Sequence, residues 1–561
     1  MSATDRFPRL IRHFGRSWVV FGLLVLSASV LPGCERKGGP GPAEQPEGRV
    51  RVGILPEGET RPNVIMILVD ALRADRLGAY GHRGGLTPTM DAMAASGVTF
   101  DYCVAAAPWT LPSVATLMTS YQAGVHKATS YRVVEDMESG KRAYQSVLSD
   151  QFDTLAEVLQ ANGYQTVGFC AAKFLRTQYG FAQGFDHYDT SFAANTVRGE
   201  VVNAALFKWL DEQRDASKPL FLYLHYMDVH GPYDAAPQFM DPLMEQVEQN
   251  PDKRLLEARE FRAINAYLRK PPRETSDPGR FERLKGYREY WVARYEAGVR
   301  EMDFYLTELL RGLHERGLWK PAYVILLADH GEALCEHGLW DHGYSQYQTD
   351  LRVPLVLRWP QVLPAGRRVR RLASLIDLMP TLLEQLRLPA GESLQGKSLV
   401  DHISGTLPNE PLARFAEATK AGPRQYALFA DNLKLIATEL PPRQLPGGTT
   451  SEATVRRQLY NLATDPGEQF DLARQSPQEL AMLTKLFTHI VQTNMATKPG
   501  LVVRREVVDT STIRQLESLG YVGGAEEDYE DANGVPPESQ PASVPAGQAD
   551  PVEDEPNVDN P

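Results

Sequence analysis

The sequence, which has 561 residues, predicts an α/β protein built around a large, mostly parallel central sheet flanked by helices. Three uninterrupted apolar runs end in acidic or histidine residues, and such runs are typical of strands buried on both faces of a parallel sheet. Helical stretches separate the runs, and 43% of the residues are hydrophobic, which is enough to bury a large core. In such a sandwich, ligands bind at the carboxyl ends of the strands.

Each of the three predicted strands ends in side chains that can bind a metal ion or an anion. The strands cover residues 64–70, 220–230 and 324–332, with predicted helices at residues 152–161, 200–212 and 287–316. The terminal residues are Asp70, then Asp228 and His230, then Asp329 and His330. One acid after a strand can simply cap the next turn, but three such strands predict a divalent-ion site such as one for Mn²⁺, Zn²⁺ or Mg²⁺, because imidazole disfavours an all-oxygen Ca²⁺ site.

A candidate nucleophile, Thr110, lies in the stretch Ala107–Met118. Pro112 and the apolar periodicity after it predict the first turn of a helix, which places Thr110 at or just before the N-terminus of that helix. Two interpretations stay open. The hydroxyl either caps the helix or lies where the helix amides favour an anion, ready to attack an ester.

The two ends of the chain predict an exported protein with an acidic tail. Residues 1–33 have the arginines and the apolar core of an export signal. That apolar core is too short to span a bilayer as a mature helix. Leu31-Pro32-Gly33-Cys34 resembles a bacterial lipobox, which implies lipidation of Cys34; simple secretion or an uncleaved anchor is the alternative. Glu35 after the cysteine resembles lipoproteins of the outer membrane, so we expect a lipid-anchored protein of the bacterial cell envelope, facing the periplasm or the surface.

Residues 34–60 are rich in Gly, Pro and charges and predict a flexible tether, whereas residues 524–561 predict a disordered acidic tail. The formal net charge is −12, but eleven acids and no Lys or Arg fall in that tail, so the body is nearly neutral. This balance argues against a nucleic-acid binder. The other cysteines, Cys103, Cys170 and Cys335, are expected to pack in the core, with room for one disulfide in an oxidising compartment.

An ordered series of motifs resembles the sulfatase family within the alkaline phosphatase superfamily. The motifs include Arg61–Asp70, Thr110–Thr119, Asp329–Glu332, Asp341–Gly343, Asp377–Leu382, Leu459–Leu462 and Asp465–Glu468. The resemblance implies an alkaline-phosphatase-like sandwich. We expect a catalytic domain at residues 61–400, with an insertion at 236–284, and a smaller α+β subdomain with a terminal helix at 401–523.

Three departures from the family pattern concern the reacting group and the metal ligands. A typical member has Cys or Ser in C/S-x-P-x-R, which is converted to formylglycine; here Thr110, Pro112 and Val114 stand in that motif. Thr cannot become this aldehyde by the same chemistry, so no formylglycine is expected. Ala71 replaces the second acid of the usual Asp-Asp pair, and Asp329-His330 replaces the usual Asp-Asn pair. A Thr nucleophile with Asp-His metal ligands resembles the phosphodiesterase, phosphonate-hydrolase and phosphoglycerol-transferase branches of the superfamily.

The resemblance implies that Asp70, Thr110, Asp329 and His330 bind one divalent metal ion, for which Mn, Zn, Mg and Ca stay open. Thr110 is then the nucleophile, and His230 and His342 contact the anion or protonate the leaving oxygen. A second metal held by Asp228, His230 and His342 is an alternative.

Lys173 lies near the position of an anion-binding lysine of the family, although a solvated lysine is the competing interpretation. The expected function is metal-dependent hydrolysis of an anionic ester, with phosphate mono- or diesters or phosphonates favoured because Thr suits phosphoryl transfer. Sulfate ester hydrolysis is the second hypothesis, and a non-catalytic envelope-binding lipoprotein is the third.

Overall fold

The computed structural model describes residues 54–508 apart from 57, 137–139, 194–196, 249–287, 361, 392–393, 407–412, 443–450 and 499. The predicted signal peptide, Cys34 and the acidic tail lie outside the described residues, as does most of the tether. Most of the predicted insertion at 236–284 also lies outside them.

The described strands are, in chain order, β1 Val64–Val69, β2 Val98–Phe100, β3 Cys103–Val104, β4 Tyr131–Asp136, β5 Gly140–Ser146, β6 Gln165–Cys170, β7 His187–Asp189, β8 Leu220–Tyr226, β9 Tyr323–Leu327, β10 Ala333–Leu334, β11 Trp340–Asp341, β12 Arg352–Val353, β13 Leu355–Arg358, β14 Arg367–Val369, β15 Ala373–Ser374, β16 Ala413–Ala416, β17 Gln425–Ala430, β18 Leu433–Leu440, β19 Thr454–Asn461 and β20 Arg505–Val508. The described helices are α1 Pro88–Ala95, α2 Thr110–Thr119, α3 Ala123–His126, α4 Leu155–Ala161, α5 Gly199–Glu212, α6 Pro237–Glu248, α7 Arg288–Glu315, α8 Gln348–Leu351, α9 Leu378–Gln385, α10 Val400–Ser404 and α11 Pro477–Thr497.

An eight-stranded sheet forms the centre of the molecule, with the strand order β14-β2-β13-β9-β1-β8-β6-β7. Strand β1 pairs in parallel with β8 on one side and with β9 on the other, while β13 runs antiparallel to both β9 and β2. Every residue of β1, β8 and β9 is buried, as expected for apolar strands covered on both faces. The predicted α/β architecture with a mostly parallel central sheet is confirmed.

Helices cover the sheet and begin close to the predicted positions. Helix α7 covers almost the whole of the stretch predicted at 287–316 and packs against α1, α5 and α6. Helix α2 packs against α3, α4 and α9. Within the described part of the chain, no helix combines the length and apolar character needed to cross a membrane.

A second, antiparallel sheet follows later in the chain, with the order β16-β17-β18-β19. Helix α11 packs on this sheet through a separate apolar cluster that contains Phe415, Leu428, Leu459 and Leu483. This is the smaller α+β unit expected after the catalytic domain. The domain boundary placed at residue 400 stays a prediction.

Candidate active site

The pairing register brings the predicted ligands to one edge of the central sheet. Leu68 of β1 pairs with His225 of β8 and with Leu327 of β9. Asp70 and Asp329 each come two residues after these paired positions, so both leave the sheet at the same level. Because the three strands are adjacent and parallel, their carboxyl ends converge, as the sequence predicted.

Helix α2 begins at Thr110, and its N-cap is Trp109, which has an extended backbone with φ −157° and ψ 162°. The Thr110 hydroxyl therefore does not serve as the N-cap. Its Oγ1 atom lies 3.3 Å from Asp70 Oδ2 and 3.3 Å from His330 Nε2. The residue is 2% exposed. Of the two interpretations left open by the sequence, the one that directs this hydroxyl toward the ligands fits the geometry.

Backbone and side-chain hydrogen bonds hold Asp329 and His330 in place. Asp329 Oδ1 accepts the backbone N–H of His330 at 3.0 Å, and Ser113 Oγ of α2 donates to the Asp329 carbonyl at 2.6 Å. His330 donates Nδ1–H to the Gly331 carbonyl at 2.8 Å. Burial lowers the pKa of His330 to about 3, so the ring is neutral and its Nε2 lone pair faces Asp70 and Thr110.

His225, which the sequence analysis did not single out, also belongs to this group. Its Nε2 lies 3.0 Å from Asp70 Oδ2, and its Nδ1 lies 2.8 Å from the Tyr223 hydroxyl. Burial disfavours the charged ring, but Cys170 and then Asp70 raise the pKa of His225 to about 10. His225 therefore donates to Asp70 and fixes the direction in which that carboxylate points.

The residues present fit a divalent cation. Asp70 and Asp329 are fully buried, and among the described residues Asp70 Oδ1 and Asp329 Oδ2 have no hydrogen-bond partner. Burial opposes ionisation of Asp70, but the hydrogen bond from His225 holds its pKa well below the usual range. Burial and the neighbouring Asp70 raise the pKa of Asp329. A bound cation removes the cost of placing two carboxylates and a neutral imidazole together without water.

Two further imidazoles, His230 and His342, lie beside these ligands. The His342 ring is 4.3 Å from the His330 ring and 4.9 Å from the His230 ring, measured between centroids. His342 Nδ1 lies 3.1 Å from Glu332 Oε1, and His230 donates Nδ1–H to the Gly231 carbonyl at 2.8 Å. Burial lowers the pKa of both His230 and His342. Both rings are thus neutral at physiological pH and suited to proton transfer.

The two other candidate residues from the sequence analysis are Asp228 and Lys173. Asp228 Oδ1 accepts the N–H of Gly199 at the start of α5 at 2.8 Å, and burial raises the pKa of Asp228 to about 7. Within the described residues, the acids grouped with His342 are Glu332 and Asp341 rather than Asp228. Lys173 is 4% exposed, so it is not a solvated surface lysine. Cys103, Cys170 and Cys335 are buried, and none of them forms a disulfide within the described residues.

The fold and site have the arrangement of the alkaline phosphatase superfamily, with acids, imidazoles and a hydroxyl at the carboxyl edge of a large sheet. A family model described as Sulfatase matches residues 62–388, and one described as N-sulphoglucosamine sulphohydrolase, C-terminal, matches residues 335–495. The chain belongs to the sulfatase family, whose members are ester-hydrolysing enzymes that use a metal ion.

Three similar proteins illustrate the range of this likeness. Arylsulfatase K of Xenopus laevis is 28% identical over 210 residues, which make up 36% of this chain and 37% of that relative. A protein solved with its substrate D-glucosamine-2-N,6-O-disulfate superposes with a TM-score of 0.62 at 19% identity, covering 78% of this chain and 99% of the other. The phosphonate monoester hydrolase of Agrobacterium radiobacter superposes with a TM-score of 0.57 at 19% identity, covering 80% of this chain and 100% of the other.

Proposed function

We propose that this protein hydrolyses phosphate mono- or diesters, or phosphonates, with Thr110 as the nucleophile. The observation that supports this proposal most strongly is the Thr110 hydroxyl, buried and 3.3 Å from both Asp70 and His330 at the start of α2. An alkoxide suits phosphoryl transfer, in which positioning and charge stabilisation supply most of the catalysis. The phosphonate monoester hydrolase among the solved neighbours is consistent with this ester class.

The metal ligands we propose are Asp70, Thr110, Asp329 and His330, with Mn, Zn, Mg and Ca as candidate ions. When bound there, a divalent cation supplies positive charge that favours the ionised Thr110 hydroxyl and the developing negative charge on the ester. His225 orients Asp70, while the backbone N–H of His330 and the hydroxyl of Ser113 orient Asp329. These contacts keep the donor atoms in place before substrate arrives.

Proton transfer in this proposal belongs to His230 and His342. Each ring has its Nδ1 engaged, His230 with the Gly231 carbonyl and His342 with Glu332. A neutral ring can take the proton of the Thr110 hydroxyl, and the protonated ring can return a proton to the leaving oxygen. Thr110 forms a covalent ester with the transferred group, which water then hydrolyses.

Sulfate ester hydrolysis is the second candidate, because the family model and the arylsulfatase relative both carry sulfatase names. Assays with p-nitrophenyl phosphate, bis-p-nitrophenyl phosphate and p-nitrophenyl sulfate, each with and without a co-expressed formylglycine-generating enzyme, separate the two. We expect phosphate ester turnover without the maturase. Sulfatase activity that depends on the maturase would refute the proposal.

The variant Thr110→Val tests the nucleophile, because it removes the hydroxyl and keeps the shape of the side chain. We expect activity to fall by at least about a thousandfold, since covalent catalysis is lost. Thr119→Val, at the other end of α2, is the matched control and should keep most of the activity. Equal loss in both variants would indicate damage to the helix, and unchanged activity in Thr110→Val would refute the assignment.

We also propose that Cys34 is lipidated and anchors the enzyme to the bacterial envelope, outside the described residues. The lipobox-like Leu31-Pro32-Gly33-Cys34 supports this localisation. Labelling with a palmitate analogue and membrane fractionation of the wild type and Cys34→Ser test it. Equal membrane association of the two proteins would count against the anchor.

A further inference from the structure

A loop of the C-terminal subdomain, residues 417–424 between β16 and β17, reaches the candidate active site. The indole N–H of Trp109, next to Thr110, donates to the Ala418 carbonyl at 2.7 Å. The backbone N–H of Lys420 donates to the Gly343 carbonyl, next to His342, also at 2.7 Å. The loop is therefore attached both to the nucleophile side and to the imidazole side of the site.

The same loop is also held at its base. The Glu417 N–H donates to the Ala106 carbonyl at 3.0 Å, and the Glu417 carboxylate accepts the N–H of Gly124 at 2.6 Å. Glu417 is 8% exposed. These bonds fix the loop against the segment that leads into α2 and against α3, so its position is set by the catalytic domain as well as by its own sheet.

Lys420 packs directly against the residue that follows His342. A Cβ atom added to Gly343 would lie 2.8 Å from Lys420 Cβ and 3.5 Å from Trp109 Cβ, so Gly343 is enclosed between these two side chains. The Lys420 ammonium lies 5.7 Å from the centre of the Tyr344 ring, and its Nζ atom is shielded from solvent. A positive charge is thus held beside Tyr344, two residues after His342.

Lys420 lies close enough to His342 to act on it electrostatically. A positive charge on this side of the site attracts a negatively charged ester.

We propose that Lys420 is a substrate-binding residue, with its ammonium contacting the negatively charged group of the ester on the His342 side of Thr110. The C-terminal subdomain then takes part directly in selecting anionic esters. This inference deepens the proposed function and rests on it. A charge-assisted hydrogen bond of this kind contributes about tenfold to a hundredfold in binding.

The test compares Lys420→Met, which keeps the aliphatic stem, with Arg424→Met, which removes an exposed cation from the same loop. Binding of inorganic phosphate and of inorganic sulfate is measured by calorimetry on the metal-loaded protein. Kinetics on p-nitrophenyl phosphate and thermal unfolding are measured on the same protein. We expect Lys420→Met to weaken binding and to raise KM by roughly tenfold or more, with a smaller change in kcat. Arg424→Met should leave both unchanged, and Lys420→Arg should restore most of the affinity.

Two negative outcomes have different meanings. If the protein with Lys420 binds phosphate and cleaves the ester, but Lys420→Met does so equally well, this inference is wrong and the proposed function stands. If the protein with Lys420 binds neither anion and cleaves no ester, the proposed function fails and the inference with it. A lower melting temperature with unchanged anion affinity would assign Lys420 a purely structural role and overturn the proposal.

Discussion

At the scale of single residues, the site depends on how Asp70 is held. Asp70 Oδ2 is within reach of both His225 and Thr110, while Oδ1 is turned toward His330 at 3.4 Å. The side chain that sets this orientation comes from the neighbouring strand β8, in register with Leu68. Groups that orient metal ligands in this way commonly affect metal affinity as strongly as some ligands do.

The variant His225→Asn therefore has an expected effect on metal binding. It removes the contact with Asp70, and we expect the affinity for the activating divalent ion to fall by about 10- to 100-fold. Calorimetric titration of metal-free protein measures this change. His187→Asn, on the edge strand β7 of the same sheet, is the control and should keep normal affinity. Normal metal affinity in His225→Asn would show that metal binding does not depend on the contact between His225 and Asp70.

Sequence reasoning identified Asp70, Asp329 and His330 because each follows an apolar run, and it identified Thr110 from its place in a motif. His225 could not be distinguished in this way. It lies inside a strand, and a single histidine in a buried apolar run looks like a core residue. Only the register of β8 against β1 shows that its ring reaches Asp70.

At the scale of elements, helices α2 and α3 are joined by a buried hydrogen-bonded histidine. His126 Nε2 lies 3.0 Å from Thr116 Oγ1, and its Nδ1 accepts the N–H of Ala128 at 3.1 Å. A proton on Nδ1 would break that second bond, and the ring is 1% exposed. Burial lowers the pKa of His126 to about 3.

This histidine makes the stability of the protein depend on pH. The ring is neutral in the folded state, while in the unfolded chain it takes up a proton near pH 6.5. Its contribution is therefore fully present above about pH 6.5 and is lost as the pH falls from there toward 3. Between pH 7 and pH 5 the loss is about 2 kcal/mol. Urea unfolding across this range should show a shallower decline for His126→Gln than for the wild type.

The exposed residue His314, in the last turn of α7, provides the control for that measurement. His314→Gln should follow the wild-type dependence on pH. A decline as steep in His126→Gln as in the wild type would mean that His126 is not the group that takes up the proton.

Helix positions were predicted well where the sequence has a strong periodic pattern, as in α7. The stretch predicted at 152–161 begins later, at Leu155, because Thr154 and Glu157 form a capping box that fixes the first turn of α4. The apolar residue Phe152 precedes that cap and packs on Tyr121 instead. Apolar periodicity thus located the helix, and side-chain capping set where it begins.

At the scale of the whole molecule, the C-terminal subdomain is tied to the catalytic domain through Glu468, which also forms a buried ion pair within the subdomain. Lys434 of β18 donates to Glu468, and both are almost fully buried. The other oxygen of Glu468 accepts the N–H of Gln348, the first residue of α8, at 2.6 Å. Burial lowers the pKa of Lys434, so its charge depends on Glu468.

Replacing one partner of this ion pair should destabilise the fold. Glu468→Gln leaves a buried ammonium without its counter-charge, and we expect the free energy of unfolding to fall by about 3–5 kcal/mol in chemical denaturation. The double variant with Lys434→Met removes the stranded charge and should recover a large part of that loss. A double variant less stable than Glu468→Gln would show that Lys434 stabilises the fold in another way.

The sequence predicted the two-part organisation but not the connection between the parts. Motifs placed Glu468 in the C-terminal subdomain without showing that it reaches α8, and nothing in the pattern around Lys420 marked it as a site residue. Both contacts join segments that are far apart in the chain. Such contacts follow from how the two units pack, which local periodicity does not encode.

The central claim is that Thr110 attacks the ester and carries the transferred group. The most direct measurement is acid quenching of the metal-loaded enzyme during turnover of p-nitrophenyl phosphate, followed by peptide mapping by mass spectrometry. We predict a phosphoryl group on Thr110 in the wild type and none in Thr110→Val. A phosphorylated peptide that excludes Thr110, or full turnover by Thr110→Val, would contradict the account.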